Sequence, residues 1–344
     1  MNLRLPAEWE EQDGILLAWP HPDSDWAPWL FDVEPVFVAI AASASRFGRV
    51  LIVAPETGLI LSRLENAGAR MERVQLATLP TNDTWARDFG PITVLEEGKP
   101  LLLDFGFNGW GLKFPADRDN QVTRRLTAAG FFGSLERRVP GLVLEGGSIE
   151  SDGNGLILTT AECLLGPNRN PHLDRPGLEA ELSRWLGARH ILWLENGYLA
   201  GDDTDSHIDT LARLGPENTI LYVSCPDPED EHHAALGRMA MELQHLRNAA
   251  GEPFRLLALP WPQPVYDAEG TRLPATYANF LVINGAVLVP TYADPADAVA
   301  LAIIGQAFPG REIIPIDCRP LILQHGSLHC VTMQLPRGVL SRWQ

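Results

Sequence analysis

Residues 275–292, ATYANFLVINGAVLVPTY, read as a β-hairpin in which two apolar stretches meet at Asn284-Gly285, a residue pair suited to the tight turn between antiparallel strands. Upstream lie a helical stretch at 229–249 and an apolar strand, FRLLALP (254–260). Downstream lie a helix at 296–308 and the strand REIIPID (311–317), followed by LILQHGSLHCVTMQLP (321–336). The order of helix, strand, polar loop and hairpin recurs along the chain. Residues 57–68 read as a helix, 72–79 as a strand, and PITVLEEGKPLLLDFGF (91–107) as a hairpin turning at Glu97-Gly98. A helix at 119–130 leads to LVLEGG (142–147) and then to ESDGNGLILTT (150–160), whose DGNG signals a turn. A helix at 176–187 leads to HILWLE (190–195) and to HIDTLARLGPENTILYVSC (207–225). The strands after the helices start near 72, 140, 190, 254 and 311, a repeat of about 60 residues that marks an array of like supersecondary units. Five such units with no compositional break predict an α/β ring formed by one domain, residues 1–344.

The 344 residues carry a formal charge of −17. That excess of acid argues against a nucleic-acid footprint, which is basic, and against a basic membrane surface. It suits attraction of a cationic small molecule, and it equally serves solubility. The opening MNLRLPAEWEEQDG lacks the apolar core of a signal peptide, and no apolar stretch reads as a membrane span. Cys163, Cys225, Cys318 and Cys330 are widely spaced. Without an export signal they read as free thiols of a cytoplasmic protein.

Polar residues of matching kind follow the repeated strands. They are Asp88 in TNDTWARDFGP (81–91), Glu145 in LEGGSIE (144–150), His207 and Asp209 in GDDTDSHIDTLAR (201–213), Asn279 in TYANF (276–280), and Cys330 in HGSLHC (325–330). In a ring, equivalent loops converge near the axis, so these side chains are expected to share a pocket. Facing carboxylates repel unless a cation lies between them, and a guanidinium offers a planar fork of donors that Asp88 and Asp209 can clamp. An ionised Cys330 is then a nucleophile for the guanidinium carbon. His207 is placed to protonate a departing amine and afterwards to activate water, with Glu145 orienting the ring.

These residues resemble the agmatine deiminase branch of the guanidino-group-modifying, or pentein, superfamily. The likeness is carried by Thr84-Trp85-Ala86-Arg87-Asp88 with Gly90-Pro91, Asn108-Gly109-Trp110-Gly111, Glu145-Gly146-Gly147 with Ile149-Glu150, and Asn168-Arg169-Asn170-Pro171. It continues through Asp202-Asp203-Thr204-Asp205, His207-Ile208-Asp209, Tyr277 with Asn279-Phe280, and His329-Cys330. The opening segment around Trp9 and Trp19-Pro20 is also similar. The resemblance implies a five-bladed α/β propeller of pseudo-fivefold symmetry. It implies Cys330 as nucleophile, His207 as acid/base, Asp88 and Asp209 on the guanidinium, and Glu145 in support. The implied reaction takes agmatine and water to N-carbamoylputrescine and ammonia, on the way to putrescine, without metal or cofactor, in a chain that is plausibly a homodimer. The sequence departs from the family pattern at His325-Gly326-Ser327-Leu328, Ser206 and Ser148, which bears on substrate preference more than on reaction class.

Other residues read more plainly. Cys163, Cys225 and Cys318 look like packed core thiols. His325, His329 and Cys330 offer zinc-type donors, but a Gly-Ser loop separates them. Asp202, Asp203 and Asp205 lack the glycine and closing glutamate of a calcium loop and read as a solvated loop or a cap on a turn. Asp88 beside Arg87 is open to a structural ion-pair reading. Trp85, Trp110 and Trp19 suit either a cation-lined pocket or the core. GFNGWG (106–111) reads as a mobile loop, and His232-His233 as surface. Competing functions are a deiminase of free or peptidyl arginine, an amidinotransferase, and a non-catalytic binding protein of the same fold. A papain-like order of nucleophile and base does not fit, because Cys330 comes last.

Overall fold

Residues 3–341 are described by a computed structural model of mixed α/β fold. Its unit is an antiparallel hairpin, a helix, and a third strand parallel to the hairpin's second strand. A parallel neighbour requires a crossover, and the helix supplies it. Ile92–Glu96 and Lys99–Leu103 are followed by the helix Val122–Ala128 and the strand Arg137–Arg138. Ile149–Ser151 and Leu156–Thr160 are followed by Arg175–Leu186 and His190–Leu194. Ala212–Gly215 and Thr219–Val223 are followed by His233–His245 and Arg255–Leu259. Leu281–Ile283 and Ala286–Thr291 are followed by Asp297–Ala307 and Glu312–Asp317.

Besides a two-stranded ribbon of Val265–Tyr266 and Arg272–Leu273, one further sheet joins segments distant in sequence. Thr332–Pro336 pairs antiparallel with Gln12–Ala18, which pairs parallel with Arg49–Ala54 and through it with Val74–Thr78. Gln12–Ala18 is buried along nearly its whole length, so it reads as a continuous apolar run rather than an alternating one. The helix Leu30–Ser45 bridges the first parallel pair. With the turn before it, it is long and apolar enough to cross a membrane, contrary to the expectation that no such stretch exists. Here it buries Val33, Phe37, Ile40 and Ala44 in the core.

Turn chemistry fixes the hairpins. Glu97 and Gly98 both take left-handed backbone (φ 50° and 78°), as do Glu217 and Asn218 (55° and 56°), the mirror-image turn that matches strand twist. At Asn284-Gly285 only the glycine is left-handed (φ 70°). The Asn284 amide is instead engaged by Gln12, accepting from its N–H (3.0 Å) and donating to its carbonyl (2.7 Å). The strand expected near 140 is short: it reduces to Arg137–Arg138 and a single bridge between Gly106 and Val143.

This repetition positions the site. Asp88, Glu145, Asp209, Asn279 and Cys330 each lie two to four residues before the first strand of an antiparallel pair, counting to Ile92, Ile149, Ala212, Leu281 and Thr332; the first four pairs are hairpins, and the last is closed by Gln12–Ala18.

Candidate active site

Asp88 sits in the one-turn helix Ala86–Phe89. Its Oδ1 accepts from the Gly147 N–H and its Oδ2 from the Trp110 indole, both at 2.9 Å. Arg87 turns away, toward Gln334 and the His329 carbonyl, so the Arg87–Asp88 ion pair is not formed. A Cβ on Gly147 would lie 2.7 Å from His207 Nδ1, 2.9 Å from Asp88 Oδ1 and 3.1 Å from Asp209 Oδ2. Three chemically active side chains therefore converge on one missing methyl group.

His207 is fully buried between two carboxylates. Nδ1 lies 3.7 Å from Asp88 Oδ1 and Nε2 lies 3.8 Å from Glu145 Oε2, and neither nitrogen has a hydrogen-bond partner among the described residues. Burial works against its charge. The fields of Asp88, Cys163 and Glu145 outweigh burial and hold the imidazole well above its ordinary value. Glu145 Oε1 accepts from Arg169 Nε at 3.0 Å. Despite burial, His207 and Arg169 keep the Glu145 carboxyl below its ordinary value.

Asn279 carries the nucleophile's backbone. Its Oδ1 accepts from the N–H of His329 (2.9 Å) and of Cys330 (3.3 Å) and lies 3.3 Å from Cys330 Sγ. Burial and the negative fields of Asp209 and Asp88 push the Cys330 thiol well above its ordinary value. Asp88 responds mainly to burial, which raises it. Asp209 resists burial: His329 Nδ1 lies 2.7 Å from its Oδ2 and holds it low. The other Asp209 oxygen is buried without a partner among the described residues.

Beneath these residues runs a buried ionic network. His329 Nε2 meets Glu8 Oε2 at 2.6 Å, and Arg213 pairs with Glu8 (2.9 Å) and Glu150 (2.6 Å). Each ring nitrogen faces a carboxylate, and Nε2 also lies 3.1 Å from Arg213 Nη2. His329 is thus committed to carboxylates rather than to a metal with His325, whose Nδ1 faces the Gly201 carbonyl.

A cavity of about 140 Å³ opens onto Cys330 and Asp88 and is walled by Trp85, Trp110 and Phe114. Trp85 and Trp110 meet edge to face, centroids 6.5 Å apart, and both are otherwise buried, so they serve pocket and core together. Trp19 packs on Phe37 and is core. Gly326 gives Trp85 its place, since a Cβ there would lie 2.1 Å from the indole. The same cavity is lined by Asp25, Asp83, Asp202 and Asp203, and no Lys or Arg among the described residues lines it. Burial pushes Asp83 up to about 6.

Several expectations are corrected. Asp202 caps its turn, accepting from the Thr204 hydroxyl (2.6 Å) and the Ser206 N–H (2.7 Å), but with Asp203 it also forms cavity wall rather than a merely solvated loop, and Asp205 pairs with Lys113 (2.6 Å) and Arg169. Gly109, Trp110 and Gly111 are buried, with Trp110 in a left-handed conformation (φ 54°), so GFNGWG is a packed wall. His232 is buried against Asp230 (2.7 Å). Cys163 is buried, but beside Glu145 and His207 rather than in purely apolar surroundings. The sequence reading gave no role to Glu8, Arg213 or Arg169. Only the Asn168–Pro171 motif pointed to the last of these.

These features define a buried thiol, imidazole and carboxylate centre under an aromatic and acidic cavity. The model of the Porphyromonas-type peptidyl-arginine deiminase family matches residues 4–336, and the chain belongs to that family. An agmatine deiminase of Pseudomonas aeruginosa (strain LESB58) is 34% identical, over 97% of this chain and 96% of its own length. Among solved structures, a cysteine-to-serine variant of the C. jejuni agmatine deiminase with substrate bound is 41% identical with a TM-score of 0.90, covering 98% of this chain and 97% of the other. A Porphyromonas gingivalis protein described as a putative arginine deiminase is 49% identical with a TM-score of 0.94, covering 99% of this chain and 100% of the other.

Proposed function

We propose that this protein is an agmatine deiminase, a hydrolase that converts agmatine and water to N-carbamoylputrescine and ammonia. The observation that carries the choice of substrate is the cavity wall. Its deepest residues, Cys330 and Asp88, are buried, and Asp25 near the mouth is exposed. A guanidinium held by Asp88 and Asp209 extends its chain past Trp85 and Trp110 toward Asp25, Asp83, Asp202 and Asp203. That end suits an ammonium. The carboxylate of free arginine would meet four acids, with His325 beside them and no Lys or Arg among the described residues of the wall. The agmatine deiminase relatives support the same choice.

The chemistry follows from the fields. A bound guanidinium offsets the charges of Asp88 and Asp209, which are what oppose ionisation of Cys330 besides burial. As the guanidinium binds, the thiol proton leaves to solvent, and the thiolate attacks the guanidinium carbon, forming a C–S bond. His207, held protonated, gives its proton to the departing nitrogen as the C–N bond breaks and ammonia leaves, to take up the solvent proton. The cysteine-linked thiouronium remains. Neutral His207 takes a proton from water, whose oxygen adds to the same carbon. Collapse breaks the C–S bond, the hydroxyl proton returns to the departing thiolate, and the neutral ureido product is left. Asp88 and Asp209 hold one charge throughout, and Glu145 orients the imidazole.

The five similar sheets support a reading as blades of one ring, residues 1–344 forming a single catalytic domain with the site on its axis. Four unpaired cysteines fit a reducing compartment such as the cytoplasm.

The test incubates purified protein with agmatine, free arginine and a blocked arginine peptide, measuring ammonia and ureido product together, with Cys330→Ala as control. Product from agmatine alone, lost in the variant, is expected. Product mainly from an arginine substrate would move the reading to arginine or peptidyl-arginine deiminase. No product from folded protein would favour a non-catalytic binding role.

A further inference from the structure

Cys163 lies on the one-turn helix Ala161–Leu164, directly after the strand Leu156–Thr160, and is fully buried. Its Sγ is 3.8 Å from Glu145 Oε2. Sγ, a Glu145 oxygen and a His207 ring nitrogen all lie within 4.8 Å of one another. Arg169 occupies the other Glu145 oxygen, so Oε2 is what Glu145 has left for both the thiol and the ring. His207 Nε2 stands 3.8 Å from that oxygen, beyond hydrogen-bonding reach. The thiol can donate S–H to the carboxylate and offer its lone pairs to the ring N–H, as a weak donor and weak acceptor.

We propose that Cys163 is a positioning residue for the acid/base: its thiol links Glu145 to His207 and holds the ring in its protonated form. The inference rests on the reading of His207 as the acid/base. A thiol there does what a second carboxylate would overdo, because it favours the imidazolium without trapping the proton in a short ion pair. The other groups facing His207 are Asp88, Asp209 and Glu145, with Arg169 behind Glu145, and all remain when the thiol is removed. Burial pushes the Cys163 thiol above its ordinary value, so it acts on the ring as a neutral dipole within 4.8 Å, and the direction of its effect on His207 is upward. A thiol serving only as core filling would matter for packing and not for the proton.

The experiment follows the titration of His207 by NMR in histidine-labelled protein, assigned with His207→Asn, in wild type, Cys163→Ala and Cys163→Ser. The kcat profile against pH is measured in parallel. Cys163→Ala is expected to move the His207 titration to lower pH by roughly one unit, and the basic limb of kcat with it. Cys163→Ser, which keeps a donor and an acceptor, is expected to restore most of the shift. Circular dichroism confirms folding, and a fall in Tm alone, with the titration unmoved in Cys163→Ala, would overturn the proposal. If the titration moves and the kcat limb does not, the link between Cys163 and His207 stands and the acid/base role of His207 fails.

Discussion

His329, one residue before Cys330, places Nδ1 2.7 Å from Asp209 Oδ2 while its Nε2 lies 2.6 Å from Glu8. One imidazole thus joins the carboxylate proposed to hold the guanidinium to the N-terminal segment. Glu8 and Asp209 are both held below the ordinary carboxylate range; burial opposes this, and His329 is the first of the groups that overcome it.

His329→Gln removes that support. A depressed folded value stabilises the native state above the unfolded carboxylate value of about 4, and the stabilisation is lost as pH falls through the folded value. The variant is expected to lose about 3–5 kcal/mol at neutral pH, the scale for a broken buried pair, and to show a flatter loss of stability below about pH 4. Urea denaturation across pH checks this, and an unchanged midpoint would refute it.

Asp83 predicts an acid limb in substrate binding. Its carboxyl, pushed up to about 6 by burial, becomes neutral below that value, so KM for agmatine should rise as pH falls through it. Asp83→Asn should raise KM at neutral pH by roughly 10–100-fold, the scale of a charged hydrogen bond, and abolish the limb. A variant KM that still climbs in acid would assign the limb elsewhere.

Gly147 leaves no room for a side chain, with His207, Asp88 and Asp209 all within 3.1 Å of its virtual Cβ. Gly147→Ala is expected to keep the fold and cost about 100-fold in kcat, as small displacements of reacting groups do. Steady-state kinetics with a Tm measurement tests it; near-normal kcat would show that the three side chains tolerate being spread.

Asn279→Asp keeps the shape and adds a negative charge beside Cys330 Sγ. Alkylation of Cys330 by iodoacetamide, followed by mass spectrometry, should slow by roughly tenfold or more at mildly alkaline pH, because only the thiolate reacts. Equal rates in variant and wild type would remove Asn279 from control of the thiol.

What the sequence made legible was local or repeated. The hairpin at Glu97-Gly98 is written in turn chemistry, and Asp88, Glu145, Asp209 and Cys330 each occupy the same place in a unit. The strand Gln12–Ala18 was missed because an apolar run buried on both faces carries no period, and its antiparallel partner, Thr332–Pro336, lies at the other end of the chain. Glu8, Arg213 and Glu150 form pairs across such distances, where spacing carries no signal. Cys163 sits among apolar neighbours in sequence, so its polar surroundings appear only in the fold. Asp25, Asp83, Asp202 and Asp203 come from separate loops and become one acidic wall only in three dimensions.

The sheet shared by Gln12–Ala18 and Thr332–Pro336 ties the candidate site to long-range pairing. Cys330 stands two residues before Thr332, and its neighbour His329 is anchored to Glu8. The segment that bears the thiol is thus clamped by two contacts to residues distant in sequence. Loop-closure entropy must be met before either forms, so the site takes shape with the whole fold and not ahead of it.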